Sequence, residues 1–376
     1  MVKMNEVLYE GNPCVRKVTL NRPEKLNCLT YGMFSQMEKA LKVYESDPNI
    51  EVVILKGKGK AFCAGGDVVR VIQLIKAGHW SFGASYYRKQ LTLDYLVATY
   101  KKPLVSLING IVMGGGAGLT MHGRFRIVTE NAVFAMPEAS IGLFPDVGSS
   151  HFLSRLPGHF GEYLGLTGAR IDGAEMLACG LATHFVLSKD LQSLEDALCD
   201  VVSSDASTIF EVINKFTHKA YIKPDSSYKR LGVINECFSR KTVEEILLTL
   251  ENEATVEAEK WVVDAVSYMK SASPTGLKIC LRSIREGRML KLESCLLRDY
   301  TVVSHFMRRT VNSDFFEGGR AMLFDKSRDP KWQPSKLEQV SEEMVDQLFA
   351  KVHDDDWEIL KLPHGRSLTN TGKPKL

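Results

Sequence analysis

Leu104-Val105-Ser106-Leu107-Ile108-Asn109, continued by Gly110-Ile111-Val112-Met113-Gly114-Gly115-Gly116-Ala117-Gly118 (residues 104–118), sets the structural class of this chain. The first six residues read as an apolar strand, the glycine triplet as a turn, and Ala117 onward as a helix. The same order stands upstream, where Ala61-Phe62-Cys63-Ala64-Gly65-Gly66-Asp67 is a strand and turn feeding a helix. In that helix Val68, Val71, Ile72 and Ile75 recur at helical spacing, with Asp67 placed as an N-cap. Residues 14–20 read as a strand ending at Asn21-Arg22-Pro23. From Met33 to Tyr44 a helix carries Phe34, Met37, Leu41 and Tyr44 on one face. Residues 51–56 form a short apolar strand closed by the turn at 57–60, and Phe125–Val128 and Val133–Met136 are further short strands. Strand, turn and helix in succession imply parallel strands with helical crossovers, hence an α/β class.

From about residue 195 the texture changes to long helical patterns, as in Thr242–Met269 and Leu296–Met307, punctuated by Pro274, Pro330 and Pro334. The reading is a catalytic core over 1–200, a helical C-terminal region over 201–350, and a mobile tail over 351–376 that includes Asp354-Asp355-Asp356. The 376 residues suffice for a sizeable core. A net charge of +3 lacks the cationic excess of a nucleic-acid protein, although a small basic patch for phosphates is compatible with it. The longest apolar runs fall well short of the ~20 residues of a membrane span. Eight cysteines without CxxC spacing, several in apolar runs, read as reduced and mostly buried thiols.

The N-terminus shows neither an apolar secretory core nor the Arg- and Ser-rich pattern of a transit peptide. The last residues, Pro374-Lys375-Leu376, match the S-K-L peroxisomal address at two of three positions, the alternative being an arbitrary tail. The expectation is a peroxisomal protein, recognised by an import receptor through those residues, and otherwise a cytoplasmic one.

Several nominal motifs carry nothing. The glycines at 114–118 satisfy GxGxxG in no frame, Gly57-Lys58-Gly59-Lys60 lacks Walker spacing, and no GxSxG elbow is present. Ser267-Tyr268-Met269-Lys270 is a lone SxxK inside a helical run, and His151 reads as a satisfied or surface histidine. No metal-ligand pattern appears.

What remains is a constellation. The junctions at Gly65-Gly66-Asp67 and Gly114-Gly115-Gly116 each leave amides at a helix start, where partial positive charge gathers. Each, alone, is equally a tight turn or a close helix–strand contact. Together they can direct two N–H groups at one oxygen, as an oxyanion requires. Two carboxyls follow, in Met136-Pro137-Glu138 and Phe144-Pro145-Asp146-Val147-Gly148, among Phe134, Ile141 and Leu143. An acid in apolar surroundings loses hydration and its pKa rises, which suits proton transfer near neutral pH. Helix capping for Asp146 and a surface charge for Glu138 are the plain alternatives.

These segments carry a family likeness. Leu20-Asn21-Arg22-Pro23, AFCAGGD at 61–67, NGIVMGGGAG at 109–118 and FAMPEASIGLFPDVG at 134–148 resemble the crotonase (enoyl-CoA hydratase/isomerase) superfamily over roughly 7–200. LTGARIDGAEMLACGLATHFV at 166–186 and DFFEGGRAMLFDKSRDPKW at 314–332 extend the likeness to about residue 335. There the chain looks most like the 3-hydroxyisobutyryl-CoA hydrolases of valine catabolism. The resemblance implies a crotonase-like spiral of ββα units with a C-terminal all-helical region. It implies an oxyanion hole at Gly66 and Gly115, and action of Glu138 and Asp146 at the acyl group of an acyl-CoA substrate. Coenzyme A is then part of the substrate, and no separate cofactor or metal is expected; a homo-oligomer is left open.

Three departures matter. Hydratases of the superfamily place a Glu two residues after the glycine triplet, where this chain has Gly118, and typically Gly where Asp146 stands. Both move the reading toward a hydrolase. At Gln90, counted with Gly115, Glu138 and Asp146 as substrate-binding, close hydrolases are expected to carry Glu. The expected chemistry is hydrolysis of a short-chain 3-hydroxyacyl-CoA; the rivals are an enoyl-CoA hydratase/isomerase and a weakly catalytic acyl-CoA-binding protein.

Overall fold

A computed structural model describes residues 5–256, 259–363 and 368. Pro374-Lys375-Leu376, the expected targeting tripeptide, lies outside the described residues. The strands are β1 (Val7–Gly11), β2 (Val15–Leu20), β3 (Val52–Gly57), β4 (Ala61–Cys63), β5 (Leu104–Ile108), β6 (Ile111–Met113), β7 (Phe125–Val128), β8 (Val133–Ala135), β9 (Ile171–Asp172) and β10 (His184–Phe185). Interleaved with them are α1 (Tyr31–Ser46), α2 (Val68–Ala77), α3 (Ser81–Ala98) and α4 (Gly115–Met121).

The strands form a six-stranded sheet in the order β1-β2-β3-β5-β7-β10 and a four-stranded sheet in the order β4-β6-β8-β9. Each of the pairs β3/β4, β5/β6 and β7/β8 gives its first strand to the large sheet and its second to the small one. This is the expected ββα repeat. All pairings are parallel except β1–β2 and β8–β9. The small-sheet strands are two or three residues long, too short for a periodicity signal. Hence β6 lies inside what the sequence presents as a bare glycine-flanked link.

Alternation along β3 and β5 explains why both read as continuous apolar runs. Val53, Leu55, Leu104 and Ile108 point into the main core, whereas Val52, Ile54, Val105 and Leu107 point to the opposite face. That outer face is covered by Leu194 and Leu198 from helix Leu191–Cys199 and by Ile209 and Ile213 from helix Ala206–Asn214. The main core joins Phe62, Val112 and Phe134 of the small sheet to Leu277, Ile284, Leu296 and Val303 of the C-terminal helices. The helices after residue 200 are therefore built into the same core that shapes the cavity.

Two expectations need correcting. The helical pattern read as Thr242–Met269 is two helices, Val243–Val256 and Lys260–Ser271, packed against each other. The segment from 351, expected to be a mobile tail, is packed as far as Pro363. Val352 and Leu360 are buried, Trp357 stacks on Tyr300, and the Tyr300 hydroxyl donates to the Glu358 carbonyl at 2.7 Å. Apolar residues spaced among the aspartates find pockets on helix Leu292–Arg308, which local charge density does not reveal.

Candidate active site

The first junction runs from β4 into α2. The chain at residues 65–67 is pinned to Leu29 on both sides: the Leu29 N–H donates to the Gly65 carbonyl, and the Asp67 N–H donates to the Leu29 carbonyl, each at 2.9 Å. Asp67 caps α2 by accepting from the Arg70 N–H, as expected, and pairs with Arg22 at 3.1 Å. The Tyr86 hydroxyl donates to the Leu29 carbonyl at 2.8 Å and accepts from the Asp67 N–H at 3.1 Å. A Cβ on Gly66 would stand 2.5 Å from that hydroxyl oxygen.

The second junction runs from β6 into α4. Gly114 sits at φ +49, in the region open to glycine, and the helix begins at Gly115, two residues earlier than the sequence suggests. The two junctions touch. A Cβ on Gly115 would lie 3.2 Å from the Gly66 nitrogen, and one on Gly65 would lie 3.6 Å from the Gly115 nitrogen. Among the described residues, neither the Gly66 nor the Gly115 N–H donates to a protein acceptor. Gly115 is buried at a helix start and Gly66 is part-buried just ahead of one; unpaired amides so placed form a site for negative charge.

Glu138 opens a 3-10 turn, Glu138–Ile141, directly behind β8. It is only 7% exposed, and its Oε1 lies 2.8 Å from where a Gly114 Cβ would be. Its Oε2 has no hydrogen-bond partner among the described residues. Burial first, then the nearby Asp146 charge, pushes the Glu138 carboxyl well above the usual carboxylate range. Asp146, equally buried, is pushed the same way by burial and then by Asp299. Glu138 is thus not the surface charge of its plain reading, and Asp146 does not cap the helix that follows it, whose N-cap is Gly148 with no side-chain bond.

Asp146 is aimed by a strained loop. Val147, β-branched, adopts φ +54, and Gly148 adopts φ +70. Three contacts hold them: Val147 carbonyl to His122 Nε2 at 2.8 Å, Gly148 N–H to Asp299 Oδ2 at 2.7 Å, and Ser149 N–H to Asp146 carbonyl at 2.8 Å. Asp299 belongs to helix Leu292–Arg308, so the C-terminal half reaches into the site.

Gln90, on α3 and almost fully buried, puts its amide nitrogen 2.5 Å from the position of a Gly115 Cβ. Gly66, Gly115, Gln90, Glu138 and Asp146 all line one cavity of about 530 Å³, with Tyr86, Tyr87 and Leu143 on its walls and Lys25 and Arg70 also lining it. The five residues singled out in the sequence are thus brought together. Sequence reasoning missed Tyr86, His122, Asp94 and Asp299. Asp94 and Asp299 had a signal, each being a lone acid among apolar residues of a helix: Leu91, Leu93 and Val97 in one case, Leu296, Val302 and Val303 in the other. Among the described residues, no group of three or more His, Cys, Asp or Glu is placed to hold a metal ion.

This fold and this paired-glycine cavity define the class: the chain belongs to the enoyl-CoA hydratase/isomerase family, whose sequence pattern matches residues 15–349. Within that class it is 52% identical to 3-hydroxyisobutyryl-CoA hydrolase 1 of Arabidopsis thaliana, over 100% of this chain and 99% of the other. It is 54% identical to a second Arabidopsis thaliana protein named "Probable 3-hydroxyisobutyryl-CoA hydrolase 3", over 96% of each. Among solved structures, a carnitinyl-CoA dehydratase from Mycobacterium thermoresistibile superposes with a TM-score of 0.85 at 32% identity, covering 96% of this chain and 99% of that one.

Proposed function

We propose that the protein hydrolyses 3-hydroxyisobutyryl-CoA to 3-hydroxyisobutyrate and free coenzyme A, a step of valine breakdown. The observation that carries this is Glu138: a dry carboxyl lying against Gly114, beside two adjoining glycines whose N–H groups have no acceptor among the described residues. A thioester carbonyl oxygen seated on the Gly66 and Gly115 amides presents its carbon to that carboxyl. Stabilising the developing oxyanion in a water-poor site is the largest contribution such a geometry makes, about 3 kcal/mol for each donor. Glu138 either attacks the carbonyl, giving a mixed anhydride that water opens, or draws a proton from water that attacks directly. In both routes the C–S bond breaks and the departing thiolate takes a proton. Asp146 lines the same cavity and orients the 3-hydroxyl, with Gln90 supplying a neutral amide beside Gly115.

The hydratase rival is disfavoured by packing. A Cβ on Gly118 would stand 2.5 Å from the Val147 Cβ and 2.9 Å from an Asp94 oxygen, so the position that carries a hydratase carboxylate has no room for one.

The test is the rate of free-thiol release from 3-hydroxyisobutyryl-CoA, alongside loss of enoyl absorbance from crotonyl-CoA. Glu138→Gln is expected to cut thiol release by about 10³-fold or more while acyl-CoA binding persists. A variant keeping most of its turnover sinks the assignment. Single turnovers in ¹⁸O-water separate the two routes, because only the anhydride route leaves label on Glu138.

A further inference from the structure

Asp94 takes no part in the chemistry above, yet it is 1% exposed and stands one helical turn beyond Gln90 on α3. Its Oδ2 is wedged against Gly118, 2.9 Å from where a Cβ would be, and has no hydrogen-bond partner among the described residues. The same Gly118 surface meets Val147, the strained residue next to Asp146. An isolated carboxylate in such a place is costly unless it is paired or protonated.

The groups around it supply no pairing. Asp146 bears on it from the loop before Gly148, Asp299 from helix Leu292–Arg308, and Cys63 lies near from β4. On the helix side, Arg298 bonds Glu286, Ser150 and the Ser283 carbonyl while its Nε has no partner among the described residues, and its charge favours ionised Asp299 rather than Asp94. His122 contacts the Val147 carbonyl and is itself held neutral by burial, down to about 4. Asp299 gains a main-chain donor, the Gly148 N–H, and Asp146 gains one from its own main chain. Three carboxyls in one dry cluster cannot all ionise, and Asp94 is the one without a donor or cation among the described residues.

We propose that Asp94 is a buried acid that keeps its proton at neutral pH, so that the charge of this cluster is left to Asp146 and Asp299. The consequence for activity rests on the functional reading above, whereas the location of the proton does not. Burial first, then Asp146 and Asp299, pushes the Asp94 carboxyl far up, in agreement with the packing. The sign follows: a buried acid whose native pKa is raised binds more protons folded than unfolded, so it removes stability as pH rises above about 4.

The experiment compares the wild-type chain with Asp94→Asn, which mimics the protonated acid. Melting temperature is measured between about pH 5 and pH 8. The expected result is a variant more stable than wild type by a few degrees at the upper end, with the gap closing toward the lower end. In parallel, the thiol-release pH profile of the variant is expected to match that of the wild type with KM unchanged, because asparagine copies the neutral acid. Infrared spectra of the wild type near pH 7 should show a protonated-carboxyl band that weakens in the variant. An unchanged pH dependence of melting, or no such band in the wild type, overturns the proposal. A profile displaced in the variant means that Asp94 ionises in the working range, and overturns the proposal as well. Should the wild type release no thiol at all, the functional reading fails, and melting and infrared still decide where the proton sits.

Discussion

The two glycine junctions meet at the same cavity and are held open by opposite means. Around Gly66 the frame is made of polar side chains: the Asp67 cap, the Arg22 pair and the Tyr86 hydroxyl. Around Gly115 the frame is made of missing side chains. Gly114 turns at φ +49 with no side-chain cap, Gly116 lies directly on the Cys63 carbonyl, and Gly118 lies on Val147. Water explains the difference. The Asp67 carboxylate keeps about a fifth of its side chain in solvent, so a charged cap is affordable there. Every residue of α4 is buried, where each added polar group needs a partner of its own and glycine needs none. A wet edge tolerates a charged frame; a dry one is built by leaving atoms out.

The comparison breaks first at Gly116. Gly116→Ala drives a methyl group into main chain that cannot rotate away, with an expected loss of about 3 kcal/mol or more, read by denaturant unfolding. Near-native stability would show the dry junction to be looser than its packing implies. Next is Gly66→Ala. The methyl meets the Tyr86 hydroxyl, which is buried and bonded but is a side chain, so the fold should survive. Displacing an oxyanion donor is expected to lower kcat by about 10²-fold with a smaller change in KM. An unaltered kcat would remove the Gly66 amide from the mechanism. The smallest effect belongs to Asp67→Ala, which removes the cap and one half of a part-buried ion pair. About 1 kcal/mol of stability should go, and the part due to Arg22 should fade in high salt. A loss as large as that of Gly116→Ala would erase the contrast between the two frames.

Much of the site was visible as letters. Asp67 followed by apolar residues at helical spacing announced the cap of α2, and the cap is there. Gly66, Gly115, Glu138 and Asp146 stood in short motifs whose residue types already carry their chemistry, and one cavity gathers them. Other features left little local trace. The three-residue strand β6 shows no period, and the packing of Trp357 on Tyr300 hides behind three aspartates. Asp299 lies 151 residues from the Gly148 amide it accepts from, a separation over which no local pattern reports.

By itself the sequence determined what is written in neighbouring residues: the alternation of strand and helix, the glycines at two helix starts, and two acids flanked by apolar groups. Those follow from steric freedom and hydration, which act over a few residues. Only the tertiary structure decided that the two junctions adjoin, that Glu138 leans on Gly114, and that a C-terminal helix holds the Asp146 loop. Contact between remote segments depends on how whole layers pack, and the degree of dryness that shifts a carboxyl is a property of that packing rather than of the residue.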